Sequence, residues 1–319
     1  MIVAPDIDFT KYLHGAEENP HVHSAKHYLA DVLKLFKEDS EGGGKALPWQ
    51  HTQDRIRIRP GETSIWAGVN GTGKSLLLNQ VILYLMRQGE RAMIASMEMK
   101  PAVTLFRMAQ QAATCRTPSE MFLTRFFNWV DQRLFMYDQQ GRVHSDRVMA
   151  LARYSQSELG CTQFLIDSLM KLGLGVQDYD AQASFINELQ AFGMDSGMHL
   201  HLIAHARKGS SEFDQIGKFD VKGAGEIIDQ VDNVYLVNRN LRKEDFKARG
   251  IHEKDDEPDC WLRCAKQRHA RPGCEGVFGL YLNRDSLTFT ESTFHQPMPM
   301  AFDLPEGVIP HPKLAEVPF

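Results

Sequence analysis

Long apolar runs are missing from this chain of 319 residues: nothing approaches the roughly 20 consecutive apolar residues that a bilayer-spanning helix needs. The opening stretch MIVAPDIDFTKYLHG also lacks the basic region and apolar core of a secretion signal. A soluble cytoplasmic chain with no membrane partner is the expectation. Cysteine is scarce, with 5 residues at irregular spacing and no paired CxxC motif, which argues against a disulfide framework or a zinc ribbon and for a reduced setting. Cys260, Cys264 and Cys274 with His269 invite a zinc reading, but the first two sit within a strand-like run and read as packing residues. An excess of basic charge is absent too. Lys and Arg total 36 against 41 Asp and Glu, a net charge of −5, so any nucleic-acid site must be local rather than spread over the whole surface. Basic residues do gather locally, in HARKGSS, NRNLRK and AKQRHARPG.

What the chain does contain is GVNGTGKS at residues 68 to 75. A glycine, four residues, then Gly-Lys-Ser is the spacing of a phosphate loop, in which backbone N–H groups surround a triphosphate. Gly68, Val69, Asn70, Gly71, Thr72, Gly73, Lys74 and Ser75 are therefore nucleotide-binding candidates. Lys74 is placed to reach the β- and γ-phosphates and Ser75 to ligate Mg²⁺. The helix opening at Leu76 aims its positive end at the anion. The flanks agree: TSIWA reads as a buried strand entering the loop and SLLLNQVILYLMRQ as a core helix leaving it. ATP or another nucleoside triphosphate is the expected ligand, with Mg²⁺ as cofactor.

Three segments follow from composition and periodicity. Residues 1–45 form an arm carrying one amphipathic helix, with Leu29, Val32, Leu33 and Phe36 at i, i+3, i+4 and i+7. SEGGGKALPWQ reads as a flexible break after it. Across 46–292, strand-like runs (TSIWA, RAMIASM, RLFMYD, TQFLID, MHLHLIAH, DNVYLVNR) alternate with helical stretches. That pattern predicts an α/β fold, a mainly parallel sheet covered by helices with its ligand at the carboxyl ends of the strands. DCWLRCAKQR, GVFGLYLN and SLTFT read as later antiparallel strands, the last two joined at NRDS. Residues 293–319 are proline-rich, and regular structure is not expected there.

Hydrolysis needs more than a phosphate loop. FLIDS ends a buried strand in Asp167, where a carboxylate can hold Mg²⁺. IASMEMKP delivers Glu98 to the same sheet edge, where it can polarise an attacking water. HLIAHARK ends in His205, able to sense a γ-phosphate and report to the basic loop that follows.

Taken in order, GVNGTGKS, SMEMKP, FLIDS, LIAHARK, VKGAGEIIDQVDNVYLVNRN and AKQRHARPGCEGVFGLYLNRDSLTF resemble the motor domain of the DnaB-like hexameric replicative helicases. Within that family the motifs are most similar to the Twinkle and phage primase-helicase branch, over about residues 46 to 291. The resemblance implies a RecA-like fold, a homo-hexameric ring encircling single-stranded DNA, and movement driven by nucleotide hydrolysis. By motif position it gives Glu98 the role of catalytic base and His205 that of γ-phosphate sensor. Lys266 and Arg268 match a pair that enters the neighbouring subunit's site. Arg207, Lys208, Lys218 and Lys222 fall on the channel loop and become DNA-contact candidates. The resemblance also implies a phage-infected or bacterial cell. The tail KLAEVPF is similar to acidic, phenylalanine-terminated tails that dock a polymerase, primase or single-strand-binding protein. The stretch before the motor is short and has no zinc ribbon, so priming is expected to come from elsewhere. A filament-forming recombinase and a regulatory ATPase acting on proteins share the same fold and remain open at this level.

Overall fold

The computed structural model describes residues 24–40, 43–173, 179–206, 213–221, 224–295 and 297–302, and the chain divides into two compact units, Met1–Gly44 and Lys45–Phe319. In the first unit a short 3₁₀ turn, Ala25–Tyr28, leads into α1 (Leu29–Ser40). Leu29, Val32, Leu33 and Phe36 form the stripe their spacing predicts, and all four are more than half exposed. A lone helix of this kind has an apolar face and no core of its own.

The second unit opens with a small antiparallel hairpin, β1 (Lys45–Ala46) and β2 (Arg57–Ile58), bracketing α2 (Gln50–Gln53). Here the flexible-break expectation needs correcting. Leu47 and Trp49 are buried, and the Trp49 indole N–H donates to the Phe289 carbonyl at 2.9 Å. The apolar surface of this pair outweighs the loop character of the neighbouring glycines and Pro48.

A nine-stranded sheet fills the unit: β3 (Thr63–Gly68), β4 (Ala92–Ser96), β5 (Leu134–Met136), β6 (Gln163–Asp167), β7 (His199–His205), β8 (Asn233–Arg239), β9 (Cys260–Gln267), β10 (Gly276–Asn283) and β11 (Thr288–Thr290). Their spatial order is β11-β10-β9-β8-β3-β7-β6-β4-β5. From β8 to β5 every pairing is parallel, and β9, β10 and β11 are antiparallel additions. The helices are α3 (Lys74–Arg87), α4 (Pro101–Ala113), α5 (Glu120–Val130), α6 (Ser145–Ser157), α7 (Tyr179–Ser196), α8 (Ala224–Gln230) and α9 (Leu241–Ala248).

Strand alternation sorts the sheet's side chains into two cores. Trp66, Ile94, Leu165, Ile203 and Tyr235 pack with α3, α4 and α5. Ile65, Met93, Phe164, Leu202 and Leu236 pack with α6, α7 and α8. Because both faces are covered, the strands read as continuous apolar runs. Past β11 the described residues hold no helix or strand, in line with the proline content, yet they are packed. Met300 N–H donates to the Ala112 carbonyl at 2.8 Å, and the Phe302 ring lies 5.2 Å from Phe122 and 5.5 Å from Trp129, centre to centre. The KLAEVPF tail lies outside the described residues.

Two histidines of β7 are fully buried. His199 Nδ1 meets the Arg59 carbonyl at 2.6 Å and Nε2 the Ser64 hydroxyl at 2.8 Å. His201 Nδ1 accepts from Trp66 Nε1–H at 3.2 Å, so its proton sits on Nε2, facing Gln163 Oε1 at 3.0 Å. Burial holds His199 down to about 4 and His201 well below the ordinary histidine value. Both stay neutral when folded and take up a proton on unfolding below about pH 6.5, so stability falls as pH drops from about 6.5 towards 4. The expected slope is about 1.4 kcal/mol per pH unit for each histidine. Denaturant titrations at pH 7 and 5 check this: His199→Gln should lose less stability between the two than the parent chain does.

Candidate nucleotide site

The phosphate loop leaves β3 at Gly68 and enters α3 at Lys74, two residues earlier than the sequence suggests. The turn into the helix is made by Gly73, at φ 88°, a left-handed conformation that a side chain disfavours. Gly68 is required for a different reason: a Cβ there would come 2.7 Å from both the Val237 carbonyl oxygen and the Thr72 hydroxyl. The Thr72 hydroxyl in turn donates to the Val69 carbonyl at 2.9 Å.

Lys74 folds back on the loop, its Nζ donating to the Gly68 and Val69 carbonyls at 2.9 Å each. Burial lowers it to about 8. Ser75 Oγ donates to Asp167 Oδ2 at 2.8 Å. Asp167, at the end of β6, is 4 % exposed, and burial raises its carboxyl to about 6 against the opposing pull of the Ser75 hydrogen bond. A cation and a carboxylate are thus both desolvated at one point, a cost that a ligand of complementary charge relieves. A hydroxyl and a carboxylate side by side are also the hard oxygen donors that suit Mg²⁺.

Glu98 follows β4. Its Oε1 accepts from Ser168 Oγ at 2.9 Å and lies 3.6 Å from His205 Nε2. Met97 N–H is held by the Asp167 carbonyl at 2.8 Å, which ties the ends of β4 and β6 together. His205 closes β7, and Ala206 N–H donates to the Gly68 carbonyl at 3.1 Å. Glu98, Asp167 and His205 therefore share a cavity of about 540 Å³ with Asn70, Gly71, Gly73, Lys74 and Ser75.

Arg107 on α4 and Leu287 in the β10–β11 turn also line this cavity, and neither stands out in the sequence. Arg107 Nη1 rests on Met99 Sδ at 3.1 Å. The available signal was a lone arginine in the helix that begins just after Glu98. Arg239, at the end of β8, touches the loop as well: its Nη1 donates to the Gly71 carbonyl at 3.2 Å, and Glu244 of α9 grips its other nitrogens at 2.7 and 2.6 Å.

Lys266 and Arg268 are not brought into the cavity. In the β8–β9 ladder Gln267 lies opposite Asn233, and Asn233 pairs with the start of β3 at Ser64. The pair thus sits at the sheet edge where β3 begins, roughly 20 Å from the edge that carries the phosphate loop, taking about 3.3 Å per strand residue. There Lys266 Nζ donates to the Ile228 and Asp229 carbonyls at 2.8 and 2.9 Å. Arg268 Nη2 donates to the Asp229 and Gln230 carbonyls at 2.9 and 2.6 Å, and Nη1 lies 3.1 Å from Asp232 Oδ1. Cations at a helix C-terminus are a favourable local arrangement in their own right.

Of the DNA-contact candidates, Arg207, Lys208 and Lys222 lie outside the described residues. Lys218 is within them, in a 3₁₀ turn, with Nζ 5.1 Å from the centre of the Phe219 ring. Phe219 is 78 % exposed. A bridge between Ala206 and Val221 closes the base of this loop directly beyond His205. Cys260 and Cys264 are buried in β9, where burial pushes both thiols up to about 12.

No family model matches the chain. A DNA helicase/primase of Enterobacteria phage T3 is 24% identical over 213 residues, which covers 60% of this chain and 38% of that protein. Among solved structures, a helicase ATPase domain aligns with a TM-score of 0.68 at 12% identity, covering 84% of this chain and 98% of that one. A DnaB-like replicative helicase, solved in a study of its interactions with primase, aligns with a TM-score of 0.65 at 12% identity, over 86% of this chain and 68% of that one. The chain has the fold of a DnaB-like helicase ATPase domain. The RecA-like expectation drawn from the motifs holds for the whole sheet, while the chain spans well under half the length of the phage helicase/primase it resembles. In this DnaB-like fold the described helices include none long and apolar enough to cross a membrane.

Proposed function

We propose that the chain is a nucleoside triphosphatase that works as the motor of a ring-shaped DNA helicase, moving along single-stranded DNA and unwinding duplex. The observation that carries this reading is the convergence of Lys74, the Ser75–Asp167 pair, Glu98 and His205 on one cavity. Phosphoryl transfer to water is mainly positioning and charge neutralisation, and these groups divide that work. Lys74 leaves the loop carbonyls to meet the β- and γ-phosphates. Ser75 and Asp167 hold Mg²⁺, which neutralises charge on the phosphates when bound. Glu98, steadied by Ser168, takes the proton of the attacking water. His205 contacts the terminal phosphate and is joined through Ala206 to the loop that carries Lys218.

The helicase names of the similar proteins support the choice of DNA as track. The two-edged sheet supports assembly: Lys266 and Arg268 are too far from their own cavity to act there, and a neighbouring copy in a hexameric ring brings them to the next one. The apolar stripe of α1 suits a role in holding copies together. The tail ending KLAEVPF is the proposed contact for a polymerase, primase or single-strand-binding protein.

Lys218 and the exposed Phe219 ring supply a charge and a stacking surface suited to single-stranded DNA without sequence preference. Lys218→Glu should weaken binding to an oligonucleotide and lower the slope of log affinity against log salt by about one. Fluorescence anisotropy across a salt series measures both. The reading as a whole is tested by hydrolysis of ATP and other nucleoside triphosphates with Mg²⁺, with and without single-stranded DNA, alongside unwinding of a forked duplex. Stimulation and unwinding are expected. Hydrolysis indifferent to DNA would point instead to a regulatory ATPase, and filaments exchanging strands without unwinding to a recombinase.

A further inference from the structure

We infer that Leu287 is the wall against which the nucleoside end of the bound nucleotide packs, an assignment that rests on the nucleotide-motor reading above. Leu287 closes the turn between β10 and β11 at φ 57°, the left-handed region where glycine, asparagine or aspartate is the ordinary choice. The rest of the turn is held without it. Asn283 Oδ1 accepts from the Asp285 and Ser286 N–H groups at 3.1 and 3.0 Å, and the Ser286 and Thr288 hydroxyls pair at 2.6 Å. None of these contacts calls for a leucine side chain. Its position does: half-buried, it lines the cavity formed by Asn70, Gly71, Gly73 and Lys74.

The turn is fixed to the phosphate-loop helix. Gln111 Nε2 donates both to the Leu287 carbonyl and to the Leu76 carbonyl, at 2.9 Å each. Two residues further on, Phe289 packs beneath the loop, its ring 3.5 Å from where a Cβ on Gly73 would lie. Leu287 is therefore held at a set distance from the nucleotide-binding backbone.

Strand order decides which end of the nucleotide it meets. Glu98, Asp167 and His205 come from β4, β6 and β7 on one side of β3, whereas β10 and β11 lie beyond β8 on the other. With the terminal phosphate towards the carboxylates, the nucleoside points to the β8–β11 flank. An apolar wall there offers area and no hydrogen-bond pattern, so it receives any base alike. A backbone conformation unfavourable to leucine is retained because glycine would give the ring nothing to pack on.

The test compares Leu287→Gly and Leu287→Asn, which both suit the backbone, with Leu287→Met, which keeps the apolar bulk. Affinities are measured for Mg²⁺ with ATP, GTP and dTTP, and for Mg²⁺ with tripolyphosphate, which has the phosphates and no nucleoside; thermal melting is recorded for each variant. Gly and Asn are expected to lose about tenfold in affinity for all three nucleotides. They should hold tripolyphosphate within about twofold and melt no lower than the parent, while Met binds ATP as the parent does. Unchanged ATP affinity in the glycine variant would overturn the assignment. So would an equal loss for tripolyphosphate or a lowered melting temperature, either of which makes Leu287 a prop for the loop. If the parent chain binds neither ATP nor tripolyphosphate, the motor reading itself falls and takes this assignment with it.

Discussion

Glu98→Gln should bind ATP with Mg²⁺ as the parent chain does and hydrolyse it roughly 10² to 10⁴ times more slowly, the range expected for losing a positioned general base. Glutamine keeps the shape and still accepts from Ser168 Oγ, so the bond now measured at 2.9 Å survives. What it loses is the capacity to take a proton from water. Lys74→Ala fails differently. Its Nζ is the buried cation of the cavity, hydrogen-bonded to two loop carbonyls, and without it the triphosphate meets backbone dipoles alone. Binding is expected to be lost, and turnover with it. Equilibrium binding of a fluorescent nucleotide and phosphate release separate the two variants. A Glu98→Gln chain with normal turnover removes Glu98 from the base role.

Arg268→Ala carries the second large effect. If its only role were the local one, removing this guanidinium from the end of α8 would have little effect, since its ion pair with Asp232 is partly solvated and such pairs contribute at most about 1 kcal/mol. As a group acting on the neighbouring copy it is worth roughly 10³ to 10⁵ in rate. The fork geometry and permanent charge of arginine suit that task, so Arg268→Lys should recover little. The chain should still bind nucleotide and assemble, yet release phosphate at a small fraction of the parent rate.

Much of this site could be read from the sequence because each part sits where local pattern is strong. Gly68 to Ser75 is contiguous, and Asp167, Glu98 and His205 each end an apolar run that could be recognised as a strand. The parallel sheet and its antiparallel extension were legible for the same reason, as was the turn joining β10 to β11. Residues that enter from a distance were not. Arg107 comes from the middle of a helix whose periodicity speaks only of its buried face. Leu287 reaches the cavity because β11 lies against α3, a contact no short window contains. Trp49 was hidden by its neighbours: glycines and a proline marked a loop, and only the long-range bond to Phe289 makes it core. Lys266 and Arg268 show the opposite limit. Their motif suggests a nucleotide contact, while within one copy they meet only the end of α8 and Asp232.

That separation makes a mixing experiment the most direct test of the central claim, that the hydrolytic site is completed by a neighbouring copy. Arg268→Ala and Lys74→Ala chains, each inactive alone, are combined over a range of ratios under conditions that allow subunit exchange, and phosphate release is followed. Some interfaces then join an intact phosphate loop from one chain to an intact Arg268 from the other. The account predicts turnover that rises to a maximum at intermediate ratios. A flat, inactive profile in assemblies verified to contain both chains would contradict it.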